Sequence, residues 1–464
     1  MEKKIYTLSF LLCLLSKLQG ICKSDIGLGY ALTLATPAEF NAGFVGKAYI
    51  IQTEQTEPSF KAALAIEANE GRYSCSIEVF LGDVKVWSSG HYSKLYVFDK
   101  CVLELTKDGD LRLKGRKKHV GWRTGTAGQG VEKLQLLSTG NLVLVDEMGL
   151  IKWQSFNFPT DVMLQGQRLD VATQLTSFPS DSNMFYTFEV LRDKIALFVN
   201  SGQVKYSYWE YKPAKNQNVN FIRLGLEGLD LFDDNSHKIA RIEPERTERT
   251  QLFRFLAVGN RTGNLGLYSY SSEKGKFETS FQALNDTCDL PLACKPYGIC
   301  TFSKACSCIK IATKEENSMD SDCGEEISGE KRRSLCGHEM LGLDGVKTVL
   351  KNGTRVNNVS KEACKEMCQK DCKCAAAMYS EEGCFIYGIV MGVRQIESVP
   401  RLSFMVKVPK GGRLSDGKSG VRKWILGLVG GVDGFVILLV LIGVTYYFIR
   451  KRRKNSLPAD SQSR

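Results

Sequence analysis

A long apolar run constrains this chain more than any other feature of its 464 residues. Residues 424–449 are almost entirely apolar, and about 20 such residues let a helix cross the hydrocarbon core of a membrane. Asp433 near the centre costs roughly 3 kcal/mol on insertion, while each Leu, Ile, Val or Phe returns about 0.3–0.6 kcal/mol. The sequence therefore predicts one membrane helix over 424–449.

The basic run RKRRK, residues 450–454, comes directly after the predicted helix. Because basic clusters stay on the cytoplasmic side, we expect a type I single-pass protein of the plasma membrane. Residues 450–464 are then a cytoplasmic tail, and 409–423 form a flexible, basic stalk outside. The net charge of +11 is mostly explained by these two stretches, so nucleic acid is not an expected partner.

Four glycines in the predicted helix form two pairs spaced for the close approach of a second helix: Gly427 with Gly431, and Gly430 with Gly434. Asp433 beside them could hydrogen-bond across such a contact. The alternative is that glycine is simply frequent in membrane helices. A receptor kinase or a second copy of the chain would be the partner on this face.

The first residues have the build of a secretory signal, with a basic start, an apolar centre from Leu8 to Leu15 and small residues after it. We expect a signal peptide at 1–24 and export of the mature chain into an oxidising compartment. Four Asn-x-Ser/Thr sequons lie on the predicted outer side and are candidate N-glycosylation sites: Asn260, Asn285, Asn352 and Asn358.

The sequence contains 16 cysteines, of which those in the exported part form three even groups. In an oxidising compartment, disulfides are favoured over a zinc site. The expected disulfide cysteines are Cys75 and Cys101; Cys288, Cys294, Cys300, Cys306, Cys308 and Cys323; and Cys336, Cys364, Cys368, Cys372, Cys374 and Cys384.

A repeat of 31 residues organises the N-terminal part of the chain. Residues 103–113 and 134–144 share the pattern L-x-L-x3-G-D/N-L-x-L, and Trp122 and Trp153 come after them at the same offset. Leucines alternating about a glycine turn are typical of a β-hairpin with one buried face. Trp87 suggests a third, more divergent unit. Such units cannot bury their apolar faces singly, so we expect one domain built from the repeats.

Residues 122–169 resemble the bulb-type, mannose-binding lectin domain of plant S-domain receptors, with GNLVL and WQSFNFPTD as the most specific segments. The resemblance implies a β-prism of three four-stranded sheets at 30–175. Residues 176–285, which include the segment GNLGLYS, resemble the second lectin-like region of the same family. The fold expected for the exported part is therefore mainly β.

The family binds mannose through the motif Q-x-D-x-N-x-V-x-Y. Of the polar residues of this motif the chain has only an Asp or Asn left, at Asp108, Asp110 and Asn141, and the Gln and Tyr are missing from both repeats. Asp and Asn at hairpin turns usually bond the local backbone. Two interpretations remain, a degraded sugar site and a purely structural turn, and we expect the second.

The cysteine-rich remainder resembles an EGF-like module at 286–325 and an α+β PAN/apple domain at 336–408. The resemblance implies the pairs Cys288 with Cys300, Cys294 with Cys306, Cys308 with Cys323, Cys364 with Cys384 and Cys368 with Cys374, and leaves Cys336 with Cys372. Spacing alone allows 15 connectivities for six cysteines. Ser360 is placed to begin a helix that carries Cys364 and Cys368.

No catalytic or cofactor motif is visible in the sequence. The four histidines, His91, His119, His237 and His338, lack spaced carboxylate or cysteine partners and are expected to be surface residues. No phosphate loop or metal set is found, and the kinase signatures of the S-domain receptors do not fit in residues 450–464. We expect a non-enzymatic receptor-like protein without cofactor that binds a protein or glycan ligand and acts through a partner. The rival interpretations are a true mannose-binding membrane lectin and a structural surface glycoprotein.

Overall fold

The computed structural model describes residues 25–38, 43–53, 58–69, 71–115, 119–179, 184–214, 217–244, 253–309, 338–397, 399–408, 444–447 and 449–450. The chain forms two compact units, Met1–Arg413 and Leu414–Arg464. The predicted signal peptide, stalk and tail (except Arg450) and most of the predicted membrane helix lie outside the described residues. Within the residues that are described, no helix is both long and apolar enough to cross a membrane.

Thirteen strands form the first β domain, because short runs of alternating apolar residues are separated by glycine turns. They are β1 Asp25–Gly27, β2 Ala31–Ala35, β3 Val45–Gln52, β4 Phe60–Asn69, β5 Arg72–Leu81, β6 Val84–Ser88, β7 Leu95–Val97, β8 Lys100–Leu105, β9 Leu111–Lys114, β10 Val120–Arg123, β11 Val131–Leu136, β12 Leu142–Asp146 and β13 Ile151–Gln154.

These strands make three antiparallel sheets in the orders β1-β11-β12-β13, β10-β9-β8-β2 and β3-β4-β5-β6, with β7 paired to β5. In the second sheet Leu103 pairs with Leu113 and both side chains are fully buried. The intervening Glu104 and Arg112 face outward, which is the alternation expected of a sheet with one buried face. The mainly β fold predicted from the repeat is confirmed.

The three repeat tryptophans meet inside this domain. The ring centroids of Trp87 and Trp122 are 6.4 Å apart, those of Trp87 and Trp153 5.9 Å, and those of Trp122 and Trp153 5.9 Å, all in edge-on contacts. Each ring comes from a different sheet, so the more divergent unit around Trp87 completes the set of three. A disulfide between Cys75 on β5 and Cys101 on β8 joins two of the sheets.

Twelve further strands form the second β domain. They are β14 Val162–Leu164, β15 Arg168–Asp170, β16 Gln174–Ser177, β17 Met184–Leu191, β18 Lys194–Ser201, β19 Val204–Tyr211, β20 Phe221–Leu224, β21 Leu229–Phe232, β22 Lys238–Ile242, β23 Arg254–Val258, β24 Leu265–Ser271 and β25 Lys276–Gln282. They make three sheets as well, each of four strands, in the orders β14-β23-β24-β25, β15-β20-β21-β22 and β16-β17-β18-β19.

The sheet β14-β23-β24-β25 connects the two β domains. On β23, Phe255 belongs to the core of the first domain while the next residue, Leu256, belongs to the core of the second. Phe253 also reaches the first domain, with its ring 6.1 Å from that of Phe60. Since consecutive residues of a strand point to opposite faces, this one sheet contributes to both cores.

The cysteine-rich part contains nine strands and one described α-helix, α1 Lys361–Lys370. The strands are β26 Gly298–Cys300, β27 Cys306–Cys308, β28 Glu339–Leu343, β29 Val346–Thr348, β30 Thr354–Val356, β31 Ala376–Ser380, β32 Gly383–Tyr387, β33 Val393–Gln395 and β34 Ser403–Val408. Ser360 caps α1 by accepting a hydrogen bond from the Ala363 amide at 3.1 Å.

The EGF-like and PAN-like segments share a sheet, which the sequence did not predict. Its order is β27-β26-β33-β29, with β26 parallel to β33 and Ile299 opposite Val393. The remaining strands form a five-stranded sheet, β28-β34-β31-β32-β30. The two segments are therefore one packed body rather than two separate modules.

Five disulfides agree with the expected cysteine pairing: Cys75–Cys101, Cys288–Cys300, Cys294–Cys306, Cys364–Cys384 and Cys368–Cys374. Cys308 and Cys372 are also disulfide-bonded. Their expected partners, Cys323 and Cys336, lie outside the described residues. Cys364 and Cys368 on α1 are fully buried, so the helix is fastened to the sheet through its inner face.

Candidate ligand-binding cleft

Asp110, one of the retained sugar-motif positions, is fully buried and holds together the loop after β10. Its Oδ1 accepts hydrogen bonds from Thr124 Oγ1 at 3.0 Å and from the amides of Gly125 at 2.8 Å and Thr126 at 3.2 Å. Its Oδ2 pairs with Arg112 Nε at 2.8 Å. Burial raises the pKa of this carboxyl, but these hydrogen bonds outweigh burial and lower the pKa below its ordinary value.

Asn141 has the same structural role as Asp110, one repeat later. It is 5% exposed, its Nδ2 donates to Gln154 Oε1 at 2.8 Å, and its Oδ1 accepts from Ser155 Oγ and the Phe156 amide, both at 3.2 Å. The equivalence extends to the neighbours, because Thr124 in one repeat and Ser155 in the next each accept a strand amide. The side chains of Asp110 and Asn141 are therefore both engaged in hydrogen bonds within the fold.

Asp108 is the exposed member of the predicted set. Its carboxylate lies 3.6 Å from Arg112 and is about half exposed. Thr106, at the position of the missing Gln, closes its own hairpin by bonding Asp110, and Lys114, at the position of the missing Tyr, pairs with Glu104. The structure therefore brings no convergent set of free polar groups together at this hairpin.

A different concave site lies on the outer face of the sheet β3-β4-β5-β6, where the first β domain meets the start of the second. The cleft has a volume of about 620 Å³. Its walls come from three distant parts of the chain: residues 67–94, residues 160–179 and Asn260. Sites that bind small ligands are commonly clefts of about 300–1,000 Å³ with a few polar groups.

The floor of the cleft carries a buried carboxylate. Glu78 on β5 is 6% exposed and accepts hydrogen bonds from Ser76 Oγ at 3.2 Å and from Lys85 Nζ at 3.1 Å. Lys85 itself is half exposed. The charge of Glu78 is thus compensated by a side chain that reaches water.

His91 connects the two domains at the side of the cleft. Its Nε2 lies 2.7 Å from the carbonyl oxygen of Thr176, and because a carbonyl only accepts, Nε2 donates and Nδ1 is left as an acceptor. Burial lowers the pKa of His91 despite the nearby Asp161 carboxylate, so the ring is neutral at physiological pH. His91 was expected to be a surface residue, and it is partly exposed at the cleft while its ring also contacts Thr176 and Phe178 of the second domain.

Aromatic side chains form the rim: His91 and Phe178 line the cleft, and Tyr92 packs against both. The His91 ring centroid is 4.8 Å from that of Tyr92 and 5.3 Å from that of Phe178, and Tyr92 and Phe178 are 6.1 Å apart. Tyr92 and Phe178 remain 56% and 43% exposed. The Tyr92 hydroxyl donates to the carbonyl of Pro159 at 2.9 Å, which holds the ring in place.

Ser177 is a polar residue of the cleft wall whose hydrogen-bonding capacity the fold does not use. It is 0% exposed, and within the described residues its hydroxyl has no hydrogen-bond partner. An unsatisfied buried hydroxyl costs about 1–3 kcal/mol. Because the hydroxyl has no accessible surface, it does not face the open cleft.

The cleft could not be found from sequence motifs, because its walls are contributed by residues far apart in the chain. Residues at the site that the sequence had singled out are the sequon Asn260, His91, the repeat residue Trp87 and the end of WQSFNFPTD at Thr160 and Asp161, and none of these signals indicates a cleft. Among the described residues, no group of three or more His, Cys, Asp or Glu side chains is arranged to hold a metal ion.

Comparison with known proteins agrees with this architecture. The family model for D-mannose binding lectin matches residues 86–178. The chain is 24% identical to the G-type lectin S-receptor-like serine/threonine-protein kinase SD2-5 of Arabidopsis thaliana, over 66% of this chain and 38% of that protein. It is 28% identical to a putative receptor protein kinase of Zea mays, over 71% of this chain and 42% of that protein.

A PAN domain-containing protein of Arabidopsis thaliana is 24% identical over 76% of this chain and 73% of that protein. A solved monomeric mannose-binding lectin of Gastrodia elata is 19% identical, covers 29% of this chain and 96% of its own, and has a TM-score of 0.19. In sequence the chain is similar to G-type lectin S-receptor-like proteins, and it spans less than half the length of the two kinases it matches.

Proposed function

We propose that this protein is a cell-surface, receptor-like lectin that recognises a carbohydrate through the cleft between its two β domains. The observation that carries the proposal is a cleft of about 620 Å³ that combines the partly exposed ring of Phe178 with His91 and the Glu78–Lys85 ion pair. The relationship to lectin receptor-like proteins supports the class of protein.

The chemistry of the cleft suits a sugar better than an apolar or a highly charged ligand. Sugar hydroxyls both donate and accept, and the walls offer an accepting nitrogen of His91 and the Glu78–Lys85 pair, of which Lys85 is half exposed. Exposed faces of Tyr92 and Phe178 can pack against the C–H face of a sugar ring. The charges are mixed, so no strong field favours an anion or a cation.

The remaining parts of the proposal come from the sequence. The apolar run at 424–449 and the basic residues after it support a single membrane span with the β domains outside the cell. With no catalytic motif visible, we propose that the chain is not an enzyme and that it passes a signal through a membrane partner. A receptor kinase or a second copy of the chain would fit the small-residue face around Asp433.

A glycan array with the full-length protein in detergent tests the proposed recognition. Tyr92→Ala and Phe178→Ala should each lower binding of the preferred glycan at least tenfold, because each removes an exposed ring from the rim. Asp108→Ala is the matched control on the exposed hairpin and should leave binding unchanged.

Two results would contradict the proposal. Mannose-competed binding that is lost in Asp108→Ala or Asn141→Ala, and kept in Phe178→Ala, would identify the hairpins as the sugar site. Binding to no glycan would instead favour a structural glycoprotein or a protein ligand. Proximity labelling at the cell surface then separates those two, since an inert coat protein captures no receptor kinase reproducibly.

A further inference from the structure

The sequon Asn260-Arg261-Thr262 lies at the wall of the cleft. It sits in the turn between β23 and β24, which is closed by hydrogen bonds from the Gly263 amide to the Gly259 carbonyl at 2.8 Å and from the Gly259 amide to the Asn264 carbonyl at 2.9 Å. A glycan attached here would therefore start from a fixed point beside the cleft.

The turn has little freedom to move. Gly263 has φ +71°, and a Cβ at this position would lie 2.6 Å from the Tyr186 ring and 2.8 Å from the Tyr208 hydroxyl. Asn264 in turn donates from Nδ2 to the Leu284 carbonyl at 2.7 Å and accepts from the Leu284 amide at 3.1 Å. The packing against the second-domain core keeps Asn260 at the cleft.

The Asn260 amide is available for modification, whereas that of another sequon is not. Asn260 is exposed, and no hydrogen bond of its side chain is found within the described residues. By contrast, Asn352 Nδ2 donates to Ser207 Oγ at 2.9 Å and to Glu210 Oε1 at 3.3 Å. Within the described residues, the Asn260 side chain is thus available for modification, whereas the Asn352 side chain is engaged in hydrogen bonds.

We infer that an N-linked glycan on Asn260 folds back into the cleft and occupies it as an intramolecular ligand. The inference rests on the proposed function, because the cleft must accept sugar. A tethered ligand has an effective concentration of about millimolar for a short link, so even weak contacts with Phe178 and Lys85 fill the site. An external glycan then binds only by displacing the attached one.

The modification uses the ordinary chemistry of the secretory pathway. The Asn260 side-chain nitrogen bonds to the anomeric carbon of a lipid-linked oligosaccharide, and the bond from that carbon to the lipid diphosphate breaks. The amide proton is lost, the lipid diphosphate leaves, and no electrons are transferred. The co-reactant is the lipid-linked oligosaccharide donor, used by an oligosaccharyltransferase.

The test compares glycan release at single sites in the full-length protein from a eukaryotic secretory host. A peptide N-glycosidase is applied to the native and the denatured protein, and mass spectrometry monitors each sequon. The Asn260 glycan should be released at least tenfold more slowly than the Asn358 glycan in the native protein, and equally fast after denaturation. Equal release rates in the native protein, or an unmodified Asn260, would overturn the inference.

The glycan array provides the second measurement. Asn260→Gln, and Thr262→Ala as a variant that keeps Asn260 but loses the sequon, should bind external glycan at least tenfold more strongly than wild type. Asn358→Gln is the control and should not differ from wild type. Binding that is equal in wild type and Asn260→Gln contradicts self-occupation alone and leaves the proposed function standing. A slowly released Asn260 glycan with no external binding in Asn260→Gln contradicts the proposed recognition of other glycans alone.

Discussion

The two β domains share an architecture but differ in how they are held together. Each consists of three sheets around an aromatic centre, all four-stranded except the sheet β3-β4-β5-β6, to which β7 adds a fifth strand. The first has the three tryptophans and the Cys75–Cys101 disulfide. The second has no cysteine in its sequence and places Tyr186 and Tyr208 in its core, with ring centroids 6.3 Å apart. The same fold is therefore stabilised by a cross-link in one case and by packing alone in the other.

The outer faces of the two domains also differ. In the second, the outer face of β19 is covered by the C-terminal module: Lys351 N donates to the Ser207 carbonyl at 2.6 Å, and Gly388 N donates to the Tyr206 hydroxyl at 2.7 Å. In the first, the outer face of β5 is left open as the cleft. The second domain supports the cysteine-rich body, and the first leaves a polar face exposed.

Removing a ring from the tryptophan cluster should have the largest effect. Trp153 is 7% exposed, so Trp153→Ala should lower the free energy of unfolding of the first domain by about 3–5 kcal/mol. Trp209 on β19 is half-buried and serves as the comparison. Trp209→Ala should lower the free energy of unfolding by less. Scanning calorimetry of the full-length protein measures both. An equal shift from the two variants would mean that the cluster has no special role in the first domain.

Breaking a largely buried ion pair should lower the free energy of unfolding more than breaking the ion pair in the open cleft. Glu210 and Lys194 are only 12% and 13% exposed and lie 3.0 Å apart, so Glu210→Ala leaves a nearly buried cation and should cost about 2–4 kcal/mol. Glu78→Ala should cost only about 0–1 kcal/mol, because Lys85 is 49% exposed and can turn to water. Denaturant unfolding compares the two. A larger loss for Glu78 would contradict the distinction between covered and open faces.

The smallest effect concerns acid stability. Because the pKa of Asp110 is lowered in the folded state, its stabilisation is complete above the unfolded value of about 3.9 and is lost as pH falls through the folded pKa. Asp110→Asn should cost about 1–2 kcal/mol at pH 7, and the difference from wild type should shrink below about pH 4. Asp108→Asn should stay within about 0.5 kcal/mol of wild type throughout. A constant Asp110→Asn difference down to pH 2 would contradict the ionised role of Asp110.

The repeat and the general fold could be predicted because they depend on local patterns. Alternating leucines about Gly109 and Gly140 specify hairpins, and both glycines adopt positive φ, +87° and +82°. The retained Asp110 and Asn141 stand at turns, as expected of residues that bond their own loops. The cysteine pairs were predicted from the resemblance of two short segments, 286–325 and 336–408, to EGF-like and PAN/apple modules.

The shared sheet and the cleft could not be predicted, because both depend on contacts between distant residues. Ile299 and Val393 pair across 94 positions of sequence. His91 meets Thr176 only because the second domain packs against the first, and Asn260 joins them from a third segment. None of these residues has a local pattern that indicates its neighbours.

Hydrogen exchange on the full-length Asn260→Gln protein, with and without the preferred array glycan, tests most directly whether the cleft is the binding site. The account predicts added protection of backbone amides at 88–92 and 174–178, and none at 106–114 or 137–145. Protection of the two hairpin segments with no change at the cleft would contradict it.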